Sequence, residues 1–131
     1  MDSAALVQEE RSDSYASSLE WVEVCELDEI IPGTGVAALV HGEQIAIVRP
    51  QHNEIYAISN YDPFSHAYVL ARGIVGDKSG ILKIASPIYK HNFALATGEC
   101  LDDPSVRLAT YPVRIRGDKV EVGLGRCGAA E

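Results

Sequence analysis

Apolar and polar positions in this chain fall into short runs broken by turn residues, with no long amphipathic helical stripe. Trp21-Val22-Glu23-Val24-Cys25 alternates and predicts a first strand. Glu26 to Ile31 breaks the alternation and reads as a short helical turn or loop, and Pro32-Gly33-Thr34-Gly35 reads as a turn. Val36 to Val40 and Gln44 to Arg49 are strands joined through His41-Gly42-Glu43, a hairpin signal. Gln51-His52-Asn53 turns the chain again, into Glu54 to Ser59. Strands this short and this closely spaced predict antiparallel β structure rather than βαβ units.

The second half continues in the same way after one irregular stretch. Asp62 to Ser79 has the weakest pattern. Lys78-Ser79-Gly80 turns into a strand, Ile81 to Ala85, and a further strand, Phe93 to Leu95, ends in a Thr-Gly turn. Asp102-Asp103-Pro104-Ser105 is an acidic turn. Val106 to Thr110 is expected to be a strand that extends into Tyr111 to Arg116. The clearest hairpin comes last: Val113 and Ile115 alternate with Arg114 and Arg116, Gly117-Asp118 turns, and Val120 and Val122 return on the same face. The expected organisation is a tail over residues 1–19, one domain over 20–124, and a loose C-terminal tail over 125–131. The first 19 residues carry five serines and four acids against one arginine, the composition of a disordered segment; a short helix docked on a partner is the other reading.

A chain of 131 residues is one domain by size and long enough for a core without disulfides or metal. Its formal charge of −8 argues against a nucleic-acid partner and against anionic membrane surfaces, both of which call for lysine and arginine. The three cysteines, Cys25, Cys100 and Cys127, have no Cys-x-x-Cys spacing, which fits a reducing compartment. No apolar run approaches about 18 residues, as a spanning helix requires, and the N-terminus lacks a signal peptide's basic start and apolar block. A cytoplasmic protein is expected.

Two segments organise this pattern. Asn60-Tyr61-Asp62-Pro63-Phe64 follows the strand ending at Ser59, and Ser86-Pro87-Ile88-Tyr89-Lys90-His91-Asn92-Phe93-Ala94-Leu95-Ala96-Thr97-Gly98 follows the strand ending at Ala85. Both read as loops, each with a proline directly after a short polar residue. The pair resembles the two cluster-binding loops of a Rieske domain, Cys-Pro-His and Cys-Pro-x-His followed by Phe-x-Leu-x-Thr-Gly. Pro63, Pro87, Phe93, Leu95, Thr97 and Gly98 match that frame, while Asp62, Phe64, Ser86 and Tyr89 stand where the four ligands would be. A Rieske centre needs two thiolates on one iron and two imidazoles on the other. Phe64 has no donor atom, and Asp62 and Ser86 offer hard oxygen. The resemblance therefore implies an all-β Rieske-like fold of small antiparallel sheets with a two-loop subdomain and no cluster. The blocks from Gly33 to Leu39, Gln44 to Pro50, Tyr56 to Phe64, Val69 to Gly73 and Ala85 to Pro87 are similar to the NirD-type small subunits of assimilatory NAD(P)H-dependent nitrite reductase. That resemblance implies an accessory subunit of an oxidoreductase that converts nitrite to ammonium. It would have no catalytic residue or cofactor of its own. Flavin, siroheme and an iron–sulfur cluster would sit on the large partner subunit.

Four candidate sites follow. The first is the set Asp62, Phe64, Ser86 and Tyr89, read either as a plug in which two buried rings hold the loops together or as a different metal or redox site. The second is His66 and His91, each just beyond a loop motif. With Asp62 they would make a facial-triad-like metal site if they converged; otherwise they are loop-tip histidines. The third is the cysteines, which lack the neighbouring base of a thiol nucleophile, so Cys25 and Cys100 read as core residues and Cys127 as part of the tail. The fourth is Asp102 and Asp103, which lack the distal glutamate of a calcium loop. The family's shape also makes Ser65, His66, Lys90 and His91 candidates for contact with the large subunit. A self-contained Rieske-type [2Fe–2S] ferredoxin remains the alternative function.

Overall fold

The computed structural model describes residues 19–125. Twelve strands run in order among these residues: β1 Leu19–Glu26, β2 Thr34–Val40, β3 Glu43–Arg49, β4 Tyr56–Ser59, β5 Tyr61–Asp62, β6 Ala67–Tyr68, β7 Ile74–Lys78, β8 Ile81–Ala85, β9 Asn92–Ala94, β10 Thr110–Tyr111, β11 Val113–Arg116 and β12 Lys119–Gly125. The only helical pieces among them are two 3₁₀ turns, Leu27–Glu29 and Leu70–Arg72. Every named pairing among the described residues is antiparallel, so the expectation of an all-β fold of small antiparallel sheets holds.

The strands form sheets ordered β1-β12-β11, β10-β4-β3-β2, β5-β6 and β7-β8-β9. Strand β3, inside its sheet, is buried on both faces, which explains the unbroken apolar run Ile45-Ala46-Ile47-Val48. Ile45 and Ile47 pack with Leu27, Ile30, Val40, Ala57, Val120, Val122 and Leu124, toward the β1-β12-β11 sheet. Ala46 and Val48 pack with Ile58, Leu70, Ile84, Phe93, Leu95 and Leu108, toward the β7-β8-β9 sheet. A strand covered on one side only alternates; one covered on both is apolar throughout.

Turn chemistry sets the registers. His41 and Gly42 have φ values of +50° and +83°, the left-handed pair that a two-residue hairpin between β2 and β3 requires. Ser79 and Gly80, at +55° and +86°, do the same between β7 and β8. The terminal hairpin has the expected register, Val113 opposite Val122 and Ile115 opposite Val120.

Three expectations are corrected. The irregular stretch contains a small hairpin, β5-β6, and a full strand, β7, because Gly76 opposite Lys83 and the polar residues Asp77 and Lys78 dilute an edge-strand pattern. The strand from Val106 through Arg116 is cut: only Thr110–Tyr111 and Val113–Arg116 are strands, separated at Pro112, whose missing N–H breaks the ladder. At the ends, Leu19 pairs with Gly125, so strand structure extends one residue further each way than the expected domain limits. The expectations for residues 1–18 and 126–131, Cys127 included, lie outside the described residues.

Candidate functional site

The two loops meet. The first joins β5 to β6 and the second joins β8 to β9, and the core behind them is formed by Ile84, Phe93 and Leu95. Asn60, itself buried, anchors the first loop from below. Its side-chain oxygen accepts the Ala71 N–H at 2.7 Å, its carbonyl accepts the Leu70 N–H at 3.1 Å, and its own N–H donates to the Gln44 carbonyl at 3.0 Å. Asn60 was visible only as one letter of a motif; nothing in a lone asparagine announces such an anchor.

Asp62 and Ser86 are each at 0% exposure. The Asp62 carboxylate receives three hydrogen bonds: from the Ser86 hydroxyl at 2.5 Å, the Ser65 hydroxyl at 2.9 Å and the Phe64 N–H at 2.9 Å. Burial by itself would push this carboxyl up, but the Ser86, Phe64 and Ser65 donors outweigh it and hold it below the usual aspartate value. The second loop is closed on itself by Lys90 N–H to the Ser86 carbonyl at 3.1 Å and Ser86 N–H to the His91 carbonyl at 2.9 Å.

The aromatic contact between the loops uses a different residue from the one expected. Phe64 is half-buried and stacks on His91, ring centroids 3.7 Å apart and planes 6° from parallel. Phe64 also lies 6.2 Å from Phe93, centroid to centroid. Tyr89, expected to be the second buried ring, is 60% exposed. Its place beside Ser86-Pro87-Ile88 turns it outward, and His91, two residues on, occupies the inter-loop space. The plug reading is therefore corrected to one ring from the expected pair and one histidine.

The set of four contact candidates divides in the same way. His66 and Lys90 are exposed, with left-handed φ values of +60° and +69°, whereas Ser65 is partly buried on Asp62 and His91 is partly buried in the stack. His66 Nδ1 is hydrogen-bonded to the Tyr61 hydroxyl at 2.9 Å, while Nδ1 of His91 is buried with no partner among the described residues. Among the described residues, no three His, Cys, Asp or Glu side chains converge on a common metal position. Cys100 is buried, and burial pushes its thiol up; burial, then Glu29 and Glu23, does the same for partly buried Cys25. Neither is poised as a thiolate nucleophile. Asp102 is held low, first by the Asn92 N–H, and so ties its turn to the end of the second loop, whereas Asp103, held low by Ser105, braces its own turn.

These residues do not fit a [2Fe–2S] centre. The two oxygen side chains at the cysteine positions are bonded to one another, the phenyl ring at one histidine position donates nothing, and the tyrosine at the other faces away.

Residues 20–123 match the Rieske-like [2Fe-2S] domain family. The nitrite reductase (NADH) small subunit of Salmonella typhimurium is 43% identical over 104 residues, 79% of this chain and 96% of that protein. The NMR structure of the E. coli protein NirD superposes with a TM-score of 0.77 at 40% identity, covering 82% of this chain and 98% of that one. The chain belongs to the family of nitrite reductase small subunits. A related segment, 36% identical over 106 residues, forms 11% of the Klebsiella oxytoca nitrite reductase [NAD(P)H] large subunit. The small-subunit family therefore has a counterpart built directly into a large subunit.

Proposed function

We propose that this chain is the accessory small subunit of a cytoplasmic NAD(P)H-dependent nitrite reductase, acting in the assimilatory reduction of nitrite to ammonium. The observation that carries this reading is the match over nearly the whole length of a nitrite reductase (NADH) small subunit. The large-subunit relative that contains a similar segment supports a stable association between the two parts. Flavin, siroheme and the iron–sulfur cluster belong, on this reading, to the large partner, and no residue of this chain takes part in bond making. No helix among the described residues is long and apolar enough to cross a membrane.

Contact with the large subunit is assigned to the loop tips, at Ser65, His66, Lys90 and His91. His66 and Lys90 lead, because they are exposed. The role is to support the large subunit or shape its electron path, not to carry electrons.

The test is co-expression of the chain with the large subunit from the same genome, followed by size-exclusion chromatography and an NAD(P)H-driven nitrite assay. A stable complex whose activity or lifetime exceeds that of the large subunit alone is expected; failure to associate would end the proposal. Anaerobic purification of the small chain alone separates this reading from a Rieske ferredoxin. The expected product is colourless, whereas near-stoichiometric iron with bands between about 400 and 600 nm would mark a ligated cluster.

A further inference from the structure

We propose that Asp62 and Ser86, with the Phe64–His91 stack beside them, form a metal-free clamp that fixes the two loops to each other. The Asp62–Ser86 bond joins side chains 24 residues apart at 2.5 Å, within a fully buried site. It is the shortest side-chain hydrogen bond recorded among the described residues. Asp62 holds its own loop through Phe64 N–H and Ser65 Oγ, and Ser86 Oγ accepts the Ile88 N–H at 3.3 Å on the other side. One network thus threads both loops through a single carboxylate. A charge-assisted hydroxyl–carboxylate bond is among the strong hydrogen bonds, and removing it leaves a buried anion short of a donor. Beside it, the parallel Phe64 and His91 rings join the same two loops by a second contact of different chemistry.

These positions are the ones at which a Rieske centre would tie the loops through metal. Here the tie is made by protein atoms alone, so loop geometry is independent of iron supply and of redox state. Ser86 is the discriminating residue. Ser65 and the Phe64 N–H belong to the first loop and make a local turn around Asp62, but only Ser86 carries the bond across.

The experiment is amide hydrogen exchange on the full chain and on Ser86→Ala, Ser65→Ala and Asp62→Asn variants. In Ser86→Ala, exchange at Phe64, Lys90 and the amide of residue 86, which donates to the His91 carbonyl, is expected to quicken about tenfold or more, while Ile45 and Ile47 in β3 stay as in wild type. Ser65→Ala is expected to loosen the first loop only. The double variant Asp62→Asn/Ser86→Ala is expected to be no looser than the worse single variant, the mark of a shared bond. If Asp62→Asn fails to fold, Ser86→Ala against Ser65→Ala carries the comparison. Unchanged exchange across the second loop in Ser86→Ala, or additive effects in the double variant, would overturn the clamp. So would loops that gain protection only after reconstitution with iron and sulfide.

Discussion

A carboxylate at zero exposure survives only where donors replace water, and Asp62 has three. Its lowered folded-state value gives a signed prediction. The unfolded chain, with aspartate near about 3.9, binds the proton more readily than the folded one. The contribution of Asp62 to stability is therefore complete above about pH 4 and is lost as pH falls through the lower folded value. Urea midpoints of wild type and Asp62→Asn, measured from neutral to acid pH, should differ most at neutral pH and converge in acid; a constant difference would show that Asp62 is not ionised in its site. Asp102 and Asp103 are also held low, so the wild-type acid limb is a sum and only the difference curve reports Asp62. The rings make a second contrast. Phe64→Ala removes a half-buried ring from both its stack and the core, and is expected to cost about 2–4 kcal/mol, toward the lower end of buried-aromatic truncations. Tyr89→Ala is expected to shift the melting temperature by no more than about 2–4 °C, since exposed substitutions stay within about 0.5 kcal/mol. Equal losses in thermal melts would return Tyr89 to the packing. The sequence pointed to position 89 because a ring stands there. It could not reveal that the loop closes through Ser86 and His91 backbone bonds, which carry the ring at 91 inward instead.

Elements bounded by sharp turn signals were legible, and those bounded by tertiary contacts were not. The β2-β3 and β11-β12 hairpins follow from Gly42 and Gly117 with alternating residues on each side. Strand β7 was illegible because Gly76 carries no side chain, and pairing with β8 rather than propensity makes it a strand. Nor could periodicity tell that Val106–Ala109 would be held by one bridge, Glu99 to Arg107, and by scattered bonds such as Ser59 N–H to the Ala109 carbonyl, instead of a continuous ladder. The Thr97-Gly98 turn shows what the frame residues do. Gly98 sits at φ +80°, donates to the Ala94 carbonyl and accepts from the Leu108 N–H, and a Cβ there would run into the Leu108 carbonyl and approach the Thr110 methyl at 3.2 Å. Gly80 has nearly the same φ, +86°, with nothing within 4 Å. Gly80→Ala should therefore cost only left-handed strain, about 1–2 kcal/mol. Gly98→Ala should add a backbone collision and lower the melting temperature further, by at least about another 4–8 °C. Matching melting curves for the two variants would show that the Leu108 segment yields freely and that φ alone explains this glycine.

At the scale of the molecule, the central sheet separates two cores, and the loop pair caps one of them on the far side from the β1-β12-β11 sheet. The terminal hairpin and the loop tips therefore pack against different cores, so a partner can be sought at one without disturbing the other. The chain carries a net charge of −8, against which exposed Lys90 at the second tip is a local exception. Rim charges of this kind govern association rate and salt dependence more than final affinity. His91, committed to the stack, is the wrong residue to remove in a docking test, because its loss would loosen the loop as well as change the surface. The appropriate variant is His66→Ala/Lys90→Ala. Both residues are exposed and hold left-handed φ values that alanine tolerates poorly, so the matched control is His41→Ala/His52→Ala, both exposed, at φ +50° and +42°, in turns outside both loops. The tip variant is expected to melt within a few degrees of that control, to associate with the large subunit more slowly at low salt, and to show a weaker dependence on salt than wild type, since screening acts on the Lys90 charge it lacks. Thermal melts check the first of these, and surface plasmon resonance across a salt series measures the other two on one immobilised large subunit. Identical rates for variant and wild type at every salt concentration would move docking away from the tips, to a face such as the exposed Leu39 and Tyr68 beside the β2-β3 turn.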